Sequence, residues 1–166
     1  MDKIVIYDTE TTNSTIWGSI IEVGAVVVDK NLKEIGELNI RGRMPEGEVQ
    51  SAKALLVNST SIDLLTKGNY SHYEFLGAVE NFFSKAGPAM FMGWSNLNFD
   101  RRMFHFNFFK GNRYPYLTHS SPNQEHDGLH IARAAQTLNP ETLKTELTEA
   151  GNPSLALEAL ARMQGF

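Results

Sequence analysis

The apolar positions of the first forty residues are mainly β-branched, which is typical of strands. Ile4 to Asp8 is a short apolar run that ends in acidic and hydroxyl residues, and it predicts a first strand entering a polar turn. Ser19 to Asp29 is also too rich in β-branched residues to favour a helix, and Lys30 and Asn31 supply a turn before Leu32 to Arg41. The pattern predicts three strands in an antiparallel meander.

Helical spacing replaces this pattern further along the chain. Apolar residues between positions 52 and 65 predict short helical pieces, and three- and four-residue spacing predicts a helix from Tyr73 to Phe83 that ends at Gly87 and Pro88. Ala89 to Trp94 is predicted as a buried strand. Three further helices are predicted over Phe99–Phe109, His130–Leu138 and Leu155–Met163.

The order of these elements is βββ, α, β, α, α, α, which belongs to the α/β class. Hairpin-linked strands pair antiparallel, and a strand that follows a helical crossover can pair in parallel. We therefore expect a mixed β-sheet flanked by α-helices, with residues 1–166 forming one domain. The cluster from Ser120 to Asn123 is expected to be a loop within that domain.

Charge and composition narrow the classes of function. The chain has fifteen basic and nineteen acidic residues, which gives a net charge of −4. This charge argues against nucleic-acid binding by bulk electrostatic attraction, so any such binding is expected to use local or metal-mediated contacts. The absence of cysteine excludes disulfides and thiolate metal sites. The start of the chain lacks the features of a signal peptide, and Ile20 to Val28 is too short to cross a bilayer. We expect a cytoplasmic protein without a membrane partner.

Three carboxylates are candidates for metal binding. Asp8 and Glu10 close the first strand two residues apart, so their side chains are expected on one face, and Asp100 follows the strand ending near Trp94. Hard cations such as Mg²⁺ prefer carboxylate oxygens, and a pair of such ions can cleave phosphodiesters. The alternatives are a solvated strand end for the first two acids and a helix N-terminal acid for Asp100.

The segments around these acids resemble the motifs of DEDD-type 3′-to-5′ exonucleases in the ribonuclease H-like superfamily, nearest to the bacterial exonuclease I family. The resemblance rests on Asp8 to Thr12 (DTETT), Ile20 to Ala25 (IIEVGA) and Gly93 to Asp100 (GWSNLNFD). Further segments match the family in the same order, namely Tyr73–Phe83, His126–Leu138 and Ser154–Phe166. The resemblance implies a ribonuclease H-like fold.

The resemblance also implies an activity and roles for the acids. Asp8 would bridge two Mg²⁺ or Mn²⁺ ions. Glu10 would complete the coordination of one ion, and Asp100 would hold the other. The implied reaction is hydrolysis of single-stranded DNA from its 3′ end, with release of nucleoside 5′-monophosphates. RNA stays open as a substrate, because recognition of the 2′-hydroxyl depends on contacts that the sequence does not show.

The chain departs from the family at its end. Members carry a fourth acid, preceded by a His or Tyr base, beyond the segment that here stops at Gln164-Gly165-Phe166. We expect a domain that lacks its last helix and motif. A second hypothesis is a catalytically incomplete module that binds nucleic acid or a protein partner. His126-Asp127 is the only nearby His-Asp pair, and Asp127 is expected to cap a helix.

Several residues near the acids are candidates for contacting substrate. Asn96 and Phe99 are expected to touch the terminal nucleotide, and Arg101 to contact phosphate. Thr11 is a candidate through its hydroxyl or backbone N–H, although turn chemistry explains it equally well. The aromatic residues Phe104, Phe108 and Phe109 are expected to form core rather than stack on bases, and His105 to lie on the helix flank.

Overall fold

The computed structural model describes residues 1–166, and its five strands form one mixed sheet in the order β3-β2-β1-β4-β5. β1 pairs antiparallel with β2 and parallel with β4, while β2 pairs antiparallel with β3. The predicted meander and mixed sheet are therefore confirmed. The strands are β1 (Lys3–Thr11), β2 (Ile20–Asp29), β3 (Glu34–Arg41), β4 (Met90–Gly93) and β5 (Gln124–Asp127).

Helices occur where the apolar spacing predicts them. The two short pieces after residue 52 and the four longer helices are all present, and a 3₁₀ turn at Pro140–Thr142 is an addition. The helices are α1 (Ala52–Val57), α2 (Ile62–Thr66), α3 (His72–Ala86), α4 (Asp100–Lys110), α5 (Gly128–Leu138) and α6 (Leu157–Gln164). β5 was not predicted, because the segment Gln-Glu-His-Asp offers no apolar alternation.

The longest helix, α3, begins at a capping box. The Ser71 hydroxyl accepts a hydrogen bond from the Glu74 backbone N–H, and the Glu74 carboxylate accepts one from the Ser71 N–H. Phe75, Val79 and Phe83 follow at helical spacing and are fully buried in the core. Burying an aromatic side chain of this size is worth roughly 1.5–3 kcal/mol, so this face fixes α3 against the sheet.

The aromatic face of α4 is narrower than the sequence suggests. Phe104 and Phe108 are buried, as predicted, and each makes a ring contact within the core. Phe109 is 73% exposed, so its assignment to the core is wrong. One residue turns the side chain by about 100° around a helix with 3.6 residues per turn, which moves Phe109 off the buried face.

The alternation of β1 separates two kinds of side chain. Val5, Tyr7 and Thr9 are buried on one face, whereas Asp8 is exposed and Glu10 is half-buried on the other. This period of two places both acids on the same side of the sheet, as the sequence predicts. The strand therefore presents carboxylates on one face while its other face packs into the core.

The chain divides into two units, residues 1–126 and 127–166. Within the second unit, the Asp127 carboxylate accepts hydrogen bonds from the backbone N–H groups of Leu129 and His130, at 2.9 and 3.4 Å. Asp127 is the N-cap of α5, so its predicted capping role is confirmed. None of the helices has the length and apolarity that a membrane span requires.

Candidate functional site

Asp8 and Glu10 lie at the end of β1, where burial disfavours the charged form of both and the charge of Asp8 further disfavours that of Glu10. Partial desolvation raises the pKa of Asp8, and a hydrogen bond from the Thr9 backbone opposes that shift. Burial is also the largest cause that raises the pKa of Glu10. The negative charges of Asp8 and Glu22 raise it further, and the positive charge of Arg41 lowers it. Asp8 is exposed and Glu10 is half-buried, and two such acids side by side favour a positive ligand.

Asp100 is the first residue of α4 and is 5% exposed. The Thr9 hydroxyl donates a hydrogen bond of 2.5 Å to Asp100 Oδ1, which ties the start of α4 to β1. Burial raises the pKa of Asp100 to about 6, the negative charge of Asp8 adds to the shift, and the Thr9 hydrogen bond opposes it. The N-cap of α4 is Phe99, so Asp100 does not fill that position.

Asp8 is the common neighbour of the other two acids, since its charge raises the pKa of both Glu10 and Asp100. An all-carboxylate donor set with this mutual repulsion fits a hard divalent cation such as Mg²⁺ or Mn²⁺ by its chemistry. The side chains nevertheless form no group of three or more His, Asp or Glu residues arranged to hold a metal ion. One oxygen of Asp100 is already occupied by Thr9.

A cavity of about 350 Å³ opens beside Asp8 and Glu10, and α1 supplies its opposite wall. Two hydrogen bonds of 2.9 Å fix that wall, from the Ser51 N–H to the Thr12 carbonyl and from Asn58 Nδ2 to the Thr11 carbonyl. The volume lies in the range of small-molecule pockets. The lining residues are Asp8, Thr9, Glu10, Thr11, Asn13, Ser14, Ser51, Lys53, Ala54, Val57, Asn58 and Phe99.

The structure brings some of the predicted substrate contacts to this cavity. Phe99 and Thr11 line it, although the Thr11 side chain is largely buried and its hydroxyl donates to the Asn13 carbonyl at 3.0 Å. Arg101 is half-buried in the first turn of α4 and is not among the lining residues. Phe99 is thus the aromatic residue that shares a cavity with the acids.

Asn96 is placed differently from the expectation, because it has no exposed surface with which to touch a nucleotide. Its amide nitrogen donates to Glu125 Oε1 at 3.2 Å and to the Tyr7 hydroxyl at 3.3 Å. Its backbone carbonyl accepts from the N–H groups of Phe99 and Arg101. Asn96 therefore shapes the turn that leads into Asp100, and we do not carry it into the proposed substrate-binding set.

Glu125 is the residue near the site that sequence reasoning missed. Its side chain is 1% exposed, and it accepts hydrogen bonds from the hydroxyls of Tyr7 and Thr118 as well as from Asn96. Burial, and then the charge of Glu125, raise the pKa of Tyr7 well above its usual value. No sequence signal marks Glu125, since its role depends on partners distant in the chain.

Comparison with known proteins gives structural matches only. No family model and no curated protein sequence matches the chain. E. coli exonuclease I in complex with a dA16 oligonucleotide superposes with a TM-score of 0.92 at 20% identity, covering 100% of this chain and 36% of that one. The same enzyme in complex with a dT13 oligonucleotide gives 0.90 at 19% identity, covering 98% and 36%.

A product-bound structure of exonuclease I gives a TM-score of 0.91 at 19% identity, covering 100% of this chain and 39% of that one. The chain thus spans little more than a third of the length of these solved structures. Identity at this level shows the fold alone. The chain has the ribonuclease H-like α/β fold of exonuclease I, and the resemblance inferred from its motifs is confirmed at the level of the fold.

Proposed function

We propose that this chain is a metal-dependent 3′-to-5′ exonuclease domain that acts on single-stranded DNA and releases nucleoside 5′-monophosphates. The observation that carries the proposal is the electrostatic coupling of Asp8 with Glu10 and Asp100 next to a cavity that holds Phe99. The structural likeness to exonuclease I bound to oligonucleotides supports the same activity.

In this proposal Asp8, Glu10 and Asp100 hold two Mg²⁺ or Mn²⁺ ions. When bound, such ions polarise the scissile phosphate and lower the pKa of the attacking water. Thr9, on the face of β1 opposite Asp8 and Glu10, ties Asp100 to the end of the strand through its hydroxyl. Repulsion among the three carboxylates is relieved by cations and is the reason these residues bind them.

The residues around the acids orient the strand. Phe99 offers a ring on which the 3′-terminal base stacks, and Lys53 places a positive charge on the opposite wall of the cavity. Arg101 and the backbone at Thr11 are proposed to contact phosphate oxygens. These contacts select a free single-stranded end, because a stacked and paired base cannot enter a cavity of about 350 Å³ between two walls.

A second candidate function is supported by one observation. The acids do not form a three-residue metal group in this structure, which favours a module that binds nucleic acid or a protein partner without cleaving. The two functions differ in the fate of the bound strand. Under the second, the strand stays intact, and affinity survives replacement of Asp8.

The test is shortening of a 5′-labelled single-stranded DNA oligonucleotide by the 166-residue chain in Mg²⁺ or Mn²⁺. Stepwise loss of nucleotides from the 3′ end is expected, with a reduction of at least a hundredfold in Asp8→Ala. Asp2→Ala is the matched control, because it removes the same charge from an exposed position outside the cavity.

An RNA oligonucleotide of the same sequence defines the substrate class. If the chain shortened RNA faster than DNA, the proposed DNA preference would be wrong and the activity would be that of an exoribonuclease. Binding without shortening by a folded protein, unchanged in Asp8→Ala, would reject the nuclease and support the binding module. A rate in Asp8→Ala equal to that of Asp2→Ala would reject the assigned site.

A further inference from the structure

Two histidines outside the carboxylate site face each other at the surface. His105 lies on α4 and His119 in the segment that follows it, and their Nε2 atoms are 3.3 Å apart. The ring centroids are 4.8 Å apart, only 1.5 Å more than the nitrogens, so the rings meet at an angle rather than end to end. The two rings therefore approach each other through their Nε2 atoms.

The spacing of these nitrogens matches a tetrahedral metal ion. Zinc binds imidazole nitrogen at about 2.0–2.1 Å, so two such ligands at the tetrahedral angle lie roughly 3.3–3.4 Å apart. The observed 3.3 Å agrees with that edge. Both residues are only partly buried, which leaves room for water in the remaining coordination positions.

Glu125 supports the second half of this arrangement. Its Oε2 lies 3.5 Å from His119 Nδ1. The Glu125 side chain is only 1% exposed, and this contact is its one ion pair. Thr118 Oγ1 donates to the same Glu125 Oε2 and lies 3.4 Å from His119 Nδ1, so its lone pair is free to accept the Nδ1 proton. The hydroxyl and the carboxylate together favour the tautomer with a free lone pair on Nε2. A metal ion bound to His119 would also place a positive charge near the buried Glu125 carboxylate, which offsets the cost of burying its negative charge.

His105 is suited to the same role. Its side chain is half-buried on α4, and its Nε2 lies against His119. In the metal-free state one Nε2 donates its proton to the other. Metal binding requires His105 to carry its proton on Nδ1 instead, a change of tautomer without a change in net charge. Tyr116 packs edge-on against both rings.

We propose that His105 and His119 form a binding site for a zinc-type divalent ion, with Glu125 as the carboxylate behind His119. The site is separate from the carboxylates of the proposed nuclease function and does not depend on it. Two protein ligands give a weak site with open positions, so we expect micromolar affinity rather than a permanently bound structural ion. Arg101 opposes the bound charge and weakens the site further.

The first test is a Zn²⁺ titration of the full chain in excess Mg²⁺, followed through the imidazole nitrogens in long-range ¹H–¹⁵N spectra. The chain has five histidines, and we expect Zn²⁺ to shift the Nε2 signals of two of them together. Assignment uses His105→Gln and His119→Gln. A titration that shifts none of the five signals, or shifts only others, would overturn the proposal.

The second test measures Zn²⁺ affinity by calorimetry in single variants. His105→Gln and His119→Gln are each expected to weaken binding at least tenfold, whereas His130→Gln, an exposed histidine on α5, should bind like the wild type. Equal binding by all three variants would sink the proposal. If either variant fails to fold, through-space contacts to the Tyr116 ring, which packs against both imidazoles, assign the two wild-type signals, and those spectra decide the matter. Nuclease activity is not read out here, so failure of one proposal leaves the other standing.

Discussion

The burial of Asp100 links a single residue to the pH dependence of stability. A pKa raised from 3.8 to about 6 means that the folded chain binds a proton between these values which the unfolded chain has already released. Folding stability therefore falls as pH rises through this window and is flat above it. The cost follows from burying an anion and placing it near Asp8, and the Thr9 hydroxyl and the backbone hydrogen bonds at Asp100 and Thr9 compensate it only in part.

We predict that Asp100→Asn stabilises the protein above pH 6 in the absence of divalent ions. The amide keeps an oxygen for the Thr9 hydroxyl and carries no charge, so the gain is about 3 kcal/mol at pH 7.5 and falls below about 1 kcal/mol near pH 4. Urea unfolding with EDTA at both pH values measures it. A gain of equal size at both pH values would contradict a charge-based cause, and addition of Mg²⁺ should shrink the difference.

At the level of single residues, the sequence predicts the face on which a side chain lies better than the groups that it contacts. The shared face of Asp8 and Glu10 follows from the strand period, and this prediction is confirmed. The interior position of Asn96 could not be predicted, because a buried amide is tolerated only when hydrogen-bonding groups from other elements meet it. Those groups come from Tyr7 and Glu125, which lie 89 and 29 residues away in the chain.

At the level of elements, apolar periodicity located every helix and four of the five strands. The missing strand, β5, is held by polar contacts: the Gln124 N–H donates to the Ala89 carbonyl at 3.2 Å, and Glu125 receives side chains from β1 and from the turn before α4. A strand stabilised in this way has no hydrophobic alternation to detect. The same contacts connect the segments that carry Asp8 and Asp100.

We predict that Glu125→Ala lowers the free energy of unfolding by about 3–5 kcal/mol. The substitution removes the carboxylate acceptor of the Tyr7 hydroxyl and of the Thr118 hydroxyl, and it leaves the Asn96 amide only the Tyr7 oxygen as an acceptor. Each unsatisfied buried group costs roughly 1–3 kcal/mol. Glu125→Gln keeps an acceptor oxygen and should recover at least half of the loss. Glu37→Ala, at an exposed strand position, is the control. If urea unfolding gave Glu125→Ala the same free energy of unfolding as Glu37→Ala, the Glu125 hydrogen bonds would not be what stabilises β5.

At the level of the whole molecule, the sequence predicted the class of fold because the element order admits few sheet topologies. Three adjacent strands along the chain give the meander, and the helical crossover through α3 returns β4 parallel to β1. The metal group could not be settled in the same way. Its geometry requires several carboxylate oxygens at about 2.0–2.1 Å from one Mg²⁺ ion, and the carboxylates here are coupled without forming a three-residue group.

The net charge of −4 makes the whole chain a poor partner for a polyanion, so we predict that divalent ions strengthen its binding to single-stranded DNA. Proteins that bind through basic surfaces lose affinity as divalent ions compete for phosphate, and the opposite trend requires ions that bridge carboxylates and phosphate. Fluorescence anisotropy with a labelled oligonucleotide in Ca²⁺, used in place of Mg²⁺ to slow cleavage, should show at least tenfold tighter binding than in EDTA at constant ionic strength. Asp8→Ala should lose this gain although it is one charge less negative, and Asp2→Ala should keep it. Weaker binding of the wild type in Ca²⁺ would show that DNA meets another face of the molecule.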